Sequence, residues 1–206
     1  MQDRFFGLYN IALYKCSIKS VGDFMCKRLI ELNGKSAEEI LNLSGQANRV
    51  PVDLEKIIND ININIYARTF ADIEEIEKRQ VAGLVLVNDD DVGVFYDVEA
   101  SVEQKRFIIA HEIGHCCLHG DTLKDGYIEF LHNDGFEDNH EKEASIFASK
   151  LLIPKQSLIT IYNQLILPSL SGLSEIFEVP KRLMQCRLTE LKLKYYIDEK
   201  DKFVEP

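Results

Sequence analysis

The chain has 206 residues, 46% of them hydrophobic, which suits one large domain, or a domain with a helical appendage, built on a real core. Its formal net charge of −10 argues against a general nucleic-acid or anionic-membrane binder, since both need a basic footprint, though a local one is compatible with it. No run of about 18 apolar residues occurs, so a membrane-spanning helix is excluded.

The N-terminal stretch Phe5 to Tyr14 is apolar but interrupted, with neither a basic leader nor a small-x-small cleavage site, and reads as an amphipathic helix. Five cysteines is an odd number; two of them are neighbours, and without a signal peptide they are expected to be reduced, which points to the cytoplasm. A helix over Asp23 to Leu32 is stopped by Asn33-Gly34, and Ser36-Ala37-Glu38-Glu39 has the form of a capping box opening a short helix to Leu43. We read residues 1–50 as a helical extension, with packing preferred over partner binding as its role.

After Pro51, Leu54, Ile57, Ile58 and Ile61 form a helical stripe, and then Ile61, Ile63 and Ile65 alternate with Asn62 and Asn64 at the period of a half-buried strand. Val81 to Val87 and Val92 to Asp97 predict two more strands around Asn88-Asp89-Asp90-Asp91. The aspartates lack the remaining ligands of a calcium loop, so a solvated hairpin turn is the reading. Together these strands make a small sheet.

Ser101-Val102-Glu103-Gln104 is a second capping box, and Gly120 sits where the helix it opens would end. Within that helix lies His111-Glu112-Ile113-Gly114-His115. At about 100° per residue, positions i and i+4 share a face, so the two imidazoles are placed to bind one metal ion, and zinc suits imidazole nitrogen. Glu112, about 100° round from His111, reaches a water on that metal without having to ligate it, which is the place for a general base. Ile109, Ala110, Ile113, Cys116 and Cys117 gather opposite the histidines as a buried back, so the two cysteines read as structural thiols. Gly114 costs a helix roughly 1 kcal/mol against alanine and suggests that another backbone passes close there. His119, near 80° on the wheel, lines the same front, but about 12 Å along the axis from His111 it is too far to complete the metal site.

Residues 121–138 read as a polar loop, with Gly126 and Gly135. His119, Tyr127, His132 and His140 are all candidates for stabilising an oxyanion. A second amphipathic helix follows, with Ala144, Phe147, Ala148, Leu151 and Leu152 as its stripe and Pro154 closing it. A catalytic zinc takes three protein ligands and leaves the fourth position to water. Glu141 and Glu143 both lie near the stripe, and periodicity alone does not separate them as the third ligand.

The run Gln104 to Ala110 into His-Glu-Ile-Gly-His, then Leu118-His119, then Glu143-Ala144, Phe147-Ala148 and Leu151-Leu152-Ile153-Pro154, resembles the ImmA/IrrE family of zinc metallopeptidases. The likeness runs from about Pro51 to Pro154, roughly half the chain. It implies a thermolysin-like arrangement in which the glutamate directly before the alanine, Glu143, is the third zinc ligand beside His111 and His115, with Glu112 catalytic. Thermolysin-like enzymes carry an aspartate four residues after that glutamate; here Phe147 stands there, so the support for a ligand histidine must come from elsewhere. The resemblance also implies that an edge strand beside the zinc helix pairs with the extended substrate.

Beyond Pro154, residues 155–206 read as helical again, broken by Pro168 and Gly172. Leu173 to Leu188 has the cadence of a helix-turn-helix, with Lys181, Arg182 and Arg187 in its second helix. Three basic residues among Glu175, Glu178 and Glu190 are a thin footprint for DNA, and packing against the core is preferred.

The expectation is an α+β protein in three parts: a 1–50 extension, a 51–154 metallopeptidase core and a 155–206 helical region. Its small, mainly antiparallel sheet packs on the zinc-binding helix and the second ligand helix. The implied activity is zinc-dependent cleavage of an intracellular regulatory protein, such as a helix-turn-helix repressor of a mobile element or stress response. The rival readings are a non-catalytic binding module stapled by zinc and a DNA-binding regulator using the C-terminal helices.

Overall fold

The computed structural model describes residues 26–69, 81–88, 91–120, 123, 128–132 and 139–197. The expected helix over Phe5 to Tyr14, the start of the next at Asp23, and Asp89, Asp90 and Tyr127 lie outside them. The described residues form eight α-helices and four β-strands, an α+β architecture.

Helices α1 (Lys27–Leu32) and α2 (Ala37–Leu43) come first. Asn33 caps the end of α1 and Gly34 takes φ +79°, a conformation glycine adopts without steric cost; from there the Gly34 amide donates to the Cys117 carbonyl at 2.7 Å. Ser36 and Glu39 form the expected capping box, with the Ser36 amide donating to Glu39 Oε2 at 2.8 Å. Helix α3 (Leu54–Ile61) is capped by Asp53 and buries the predicted stripe of Leu54, Ile57, Ile58 and Ile61.

Strands β1 (Asn64–Arg68), β2 (Val81–Asn88), β3 (Asp91–Asp97) and β4 (Ile128–His132) make one sheet in the order β1-β3-β2-β4. β3 runs antiparallel to β2, with Val85 opposite Val94 and Asn88 opposite Asp91, while β1 joins β3 in parallel, with Asn64 opposite Gly93. β4 lies antiparallel to β2, with Leu84 opposite Phe130, inside a stretch expected to be loop. The signal for it is the alternation Ile128-Glu129-Phe130, a short run within a polar surround.

Helix α4 (Val102–Leu118) opens on the predicted box, Ser101 accepting from the Gln104 amide at 3.2 Å and Gln104 Oε1 accepting from the Ser101 amide at 2.9 Å. It lies against β2 and β3 and crosses α5 (Asn139–Leu152). α6 (Lys155–Gln164), α7 (Leu170–Phe177) and α8 (Lys181–Glu190) complete the chain. Pro168 interrupts the helices as expected, but Gly172 does not: it lies inside α7, where its amide donates to the capping Ser169 hydroxyl at 3.1 Å.

α7 and α8 are the two helices of the predicted helix-turn-helix, joined by Glu178-Val179-Pro180. Arg187, one of its three basic residues, is only 3% exposed; its Nε donates to the Ile153 carbonyl at 3.1 Å and its Nη1 pairs with Glu190 at 2.7 Å. That guanidinium ties α8 to the end of α5. One hydrophobic cluster runs from Cys26 to Leu188, with Leu29 and Ile40, Val85 and Val94, Ile113, Leu151, Phe177 and Met184 among its members. Arg106 on α4 adds a polar staple, donating to the Val52 carbonyl at 2.8 Å and the Glu178 carbonyl at 3.1 Å.

Candidate metal centre

His111 and His115, one turn apart on α4, turn their Nε2 atoms toward each other at 2.9 Å, and both side chains are buried. The front of α4 is covered as well as its back: Glu112 is 1% exposed, and His111 and His115 are equally enclosed. What encloses the helix is β2 on one side and α5 on the other.

The approach of α5 depends on Gly114. A Cβ built there would lie 3.1 Å from the Ala144 carbonyl oxygen and 3.2 Å from the Ala144 Cα, so a side chain at this position would press the two backbones apart by a few tenths of an ångström. The second backbone expected from Gly114 is therefore α5, which descends on the histidines one turn before its crossing point.

That crossing brings one of the two acids to the histidines. Glu141 stands three residues before Ala144 and shares its face, whereas Glu143, one residue before it, is rotated about 100° away. Glu141 Oε2 lies 3.2 Å from His111 Nε2 and its Oε1 3.4 Å from His115 Nε2. Among the described residues, His111, His115 and Glu141 are the group able to hold a metal ion. Glu143, which the resemblance favoured, is not in that group: its side chain is 57% exposed and its Oε2 lies 3.0 Å from His119 Nε2.

The donor set fits a small, borderline-soft divalent ion. Tetrahedral bonds of about 2.0–2.2 Å hold neighbouring donors roughly 3.3 Å apart, close to the 2.9, 3.2 and 3.4 Å found between these atoms. Without an ion, burial pushes Glu141 up, but hydrogen bonds from His111 and His115, reinforced by their charge, override it and hold the carboxyl at about 2. The third donor is thus ionised throughout the physiological range.

Glu112 stays outside the ligand group and faces β2, where a Cβ on Gly83 would lie 2.8 Å from its Oε1 and would also collide with Ile108. Ser145, one turn beyond Glu141, places its hydroxyl 3.2 Å from His111 Nδ1. Sequence reasoning passed over both Gly83 and Ser145; the i+4 spacing from Glu141 is the signal that identifies Ser145 once Glu141 is the ligand. His119 is buried, and its two ring nitrogens face His115 and Glu143, while the exposed His140 ring stacks on it at 4.2 Å. Cys116 and Cys117 are fully buried, and burial pushes the Cys117 thiol up to about 12, as suits inert structural thiols. A cleft of about 750 Å³ between α3, β1 and the start of α4, lined by Val52, Ile58, Ile65, Lys105, Arg106 and Ile109, includes none of the metal-centre residues.

No helix among the described residues is long and apolar enough to cross a membrane. No curated protein matches the chain. Residues 92–189 match the family model Peptidase_M78, the IrrE N-terminal-like domain, a span that starts at β3, takes in the whole metal centre and continues to α8, well past the Pro154 limit of the likeness seen in the sequence. That match supports the ImmA/IrrE family over this span and with it a metallopeptidase in general, while the buried group of His111, His115 and Glu141 is close enough to hold a metal ion.

Proposed function

We propose that this chain is a cytoplasmic zinc endopeptidase in which His111, His115 and Glu141 hold the ion and Glu112 is the general base. The observation that carries the reading is the convergence of two imidazole Nε2 atoms and one ionised carboxylate, with a second buried carboxylate on the adjacent residue of α4. A zinc ion bound there supplies Lewis acidity, polarising a peptide carbonyl and bringing the pKa of water to about 7. Glu112 takes the proton of the attacking water and returns it to the leaving nitrogen. Glu112 is buried beside Gly83 of β2, on the residue next to the ligand His111.

An extended substrate is best held by main-chain pairing, and of the two edges of the sheet β4 adjoins the strand that faces Glu112. Because both nitrogens of His119 are engaged, the oxyanion role falls to Tyr127, His132 or His140. The substrate, by family resemblance, is a regulatory protein such as a helix-turn-helix repressor of a mobile element or stress response.

Glu112→Gln expressed in the source cell turns the enzyme into a trap. Affinity recovery should retain a protein that the active enzyme does not accumulate, and zinc-loaded wild type in fresh lysate, which supplies any activating signal, should cleave it at a defined bond. A captured partner that stays intact under those conditions makes the chain a zinc-stapled binding module.

A further inference from the structure

The sequence left open what supports the ligand histidines in the absence of the thermolysin-like aspartate, and the structure supplies an answer for each. His111 Nδ1 faces the Ser145 hydroxyl at 3.2 Å. For His115 the partner is another ring: its Nδ1 lies 3.2 Å from His119 Nδ1, and His119 Nε2 in turn lies 3.0 Å from Glu143 Oε2. We infer that His119 and Glu143 are positioning residues that set the tautomer and orientation of His115 through a relay of two hydrogen bonds. This rests on the reading of His111, His115 and Glu141 as a metal site.

The direction of the relay follows from proton placement. For His115 to offer its Nε2 lone pair to an ion, its ring proton must sit on Nδ1. His119 Nδ1 then accepts that N–H, which places the proton of the His119 ring on Nε2, and Nε2 donates to the Glu143 carboxylate. Each tautomer is dictated by the next group along, and the chain ends on an ionic acceptor. It is a carboxylate–histidine–metal arrangement lengthened by one imidazole. The exposed His140 ring stacks on His119, with ring centres 4.2 Å apart. Helix periodicity accounts for the parts: His119 is one turn beyond His115, and Glu143, off the face that meets Gly114, is turned toward the C-terminal end of α4.

The test is zinc affinity, measured by competition with a chromophoric chelator. His119→Leu fills the same buried space with no acceptor and should weaken zinc binding about 10- to 100-fold, the usual effect of losing such a partner. His119→Gln should recover most of that loss, because its carbonyl oxygen accepts from His115 Nδ1–H while its amide donates to Glu143. Glu143→Ala, one bond further from the ion, should cost roughly 3- to 10-fold. Wild-type affinity in His119→Leu overturns the proposal, and so does a glutamine variant as weak as the leucine one, since only packing would then be at stake. If the leucine variant fails to fold, Glu143→Ala decides alone, its side chain being exposed: unchanged affinity overturns the relay. His115→Ala separates the two readings. Loss of zinc there with none in His119→Leu refutes the relay only, whereas retention of zinc in His115→Ala refutes the metal site on which it rests.

Discussion

Gly83 leaves room for Glu112 where β2 passes over α4, and a methyl group there would press on both Glu112 Oε1 and the Ile108 side chain. Gly83→Ala should therefore destabilise the protein by about 1–3 kcal/mol, read by urea denaturation, and lower turnover by displacing the base. At the metal, Glu141→Ala should lose most of the bound zinc by elemental analysis, while Glu143→Ala keeps nearly one ion per chain at saturating zinc. On acidification the ion is expelled by protonation of the imidazoles, because Glu141, held at about 2, stays ionised until far lower pH. Raising free zinc should move the release midpoint to lower pH, whereas a midpoint indifferent to zinc would show that release follows unfolding. That His111 and His115 share one face of a helix was legible in the sequence because one helical turn fixes their relation locally. The choice between Glu141 and Glu143 was not, since both border the apolar stripe and only the crossing at Ala144 decides which reaches the histidines.

The pair α4 and α5 is the element on which the centre depends. They meet tightly at Gly114, one residue from His115, where Ala144 packs against it, so the contact that packs the core also delivers Glu141. Gly114→Val should push the helices apart, costing about 1–3 kcal/mol or more and weakening zinc binding, as followed by thermal melting and metal content in parallel. Capping residues marked the starts of α2 and α4 from sequence because a box is a local arrangement, formed here as expected by Ser36 with Glu39 and Ser101 with Gln104. β4 escaped notice for the opposite reason: its five residues join the sheet through pairing with β2, which is distant in sequence. Gly172 misled as a breaker because a glycine in the first turn of a helix costs little when Ser169 caps it.

For the whole molecule, the question is whether the C-terminal helices are a separate module. Leu158, Leu170, Leu173, Phe177, Met184 and Leu188 all belong to the shared buried cluster, and at about 1.5–3 kcal/mol each their removal would cost about as much as the roughly 5–15 kcal/mol that holds a typical domain together. Area-based figures of this kind are upper bounds, yet even half the sum is comparable with the total. Truncation after Pro154 should therefore unfold or aggregate the chain by circular dichroism, and a cooperatively folded fragment would establish an independent module. Arg106, reaching both Val52 and Glu178 from α4, and Arg187, reaching Ile153 from α8, point to the same integration. With Arg187 so buried, duplex DNA would meet a weaker basic face than the sequence suggests.

The most direct test of the central claim is the hydrolysis rate of the trapped partner by Glu112→Gln and by wild type, each loaded to one zinc per chain. The account predicts equal zinc content, an unchanged melting temperature within a few degrees, and a rate lower by about 100-fold or more, the scale of a lost general base. Wild-type turnover by Glu112→Gln at full zinc occupancy would contradict it.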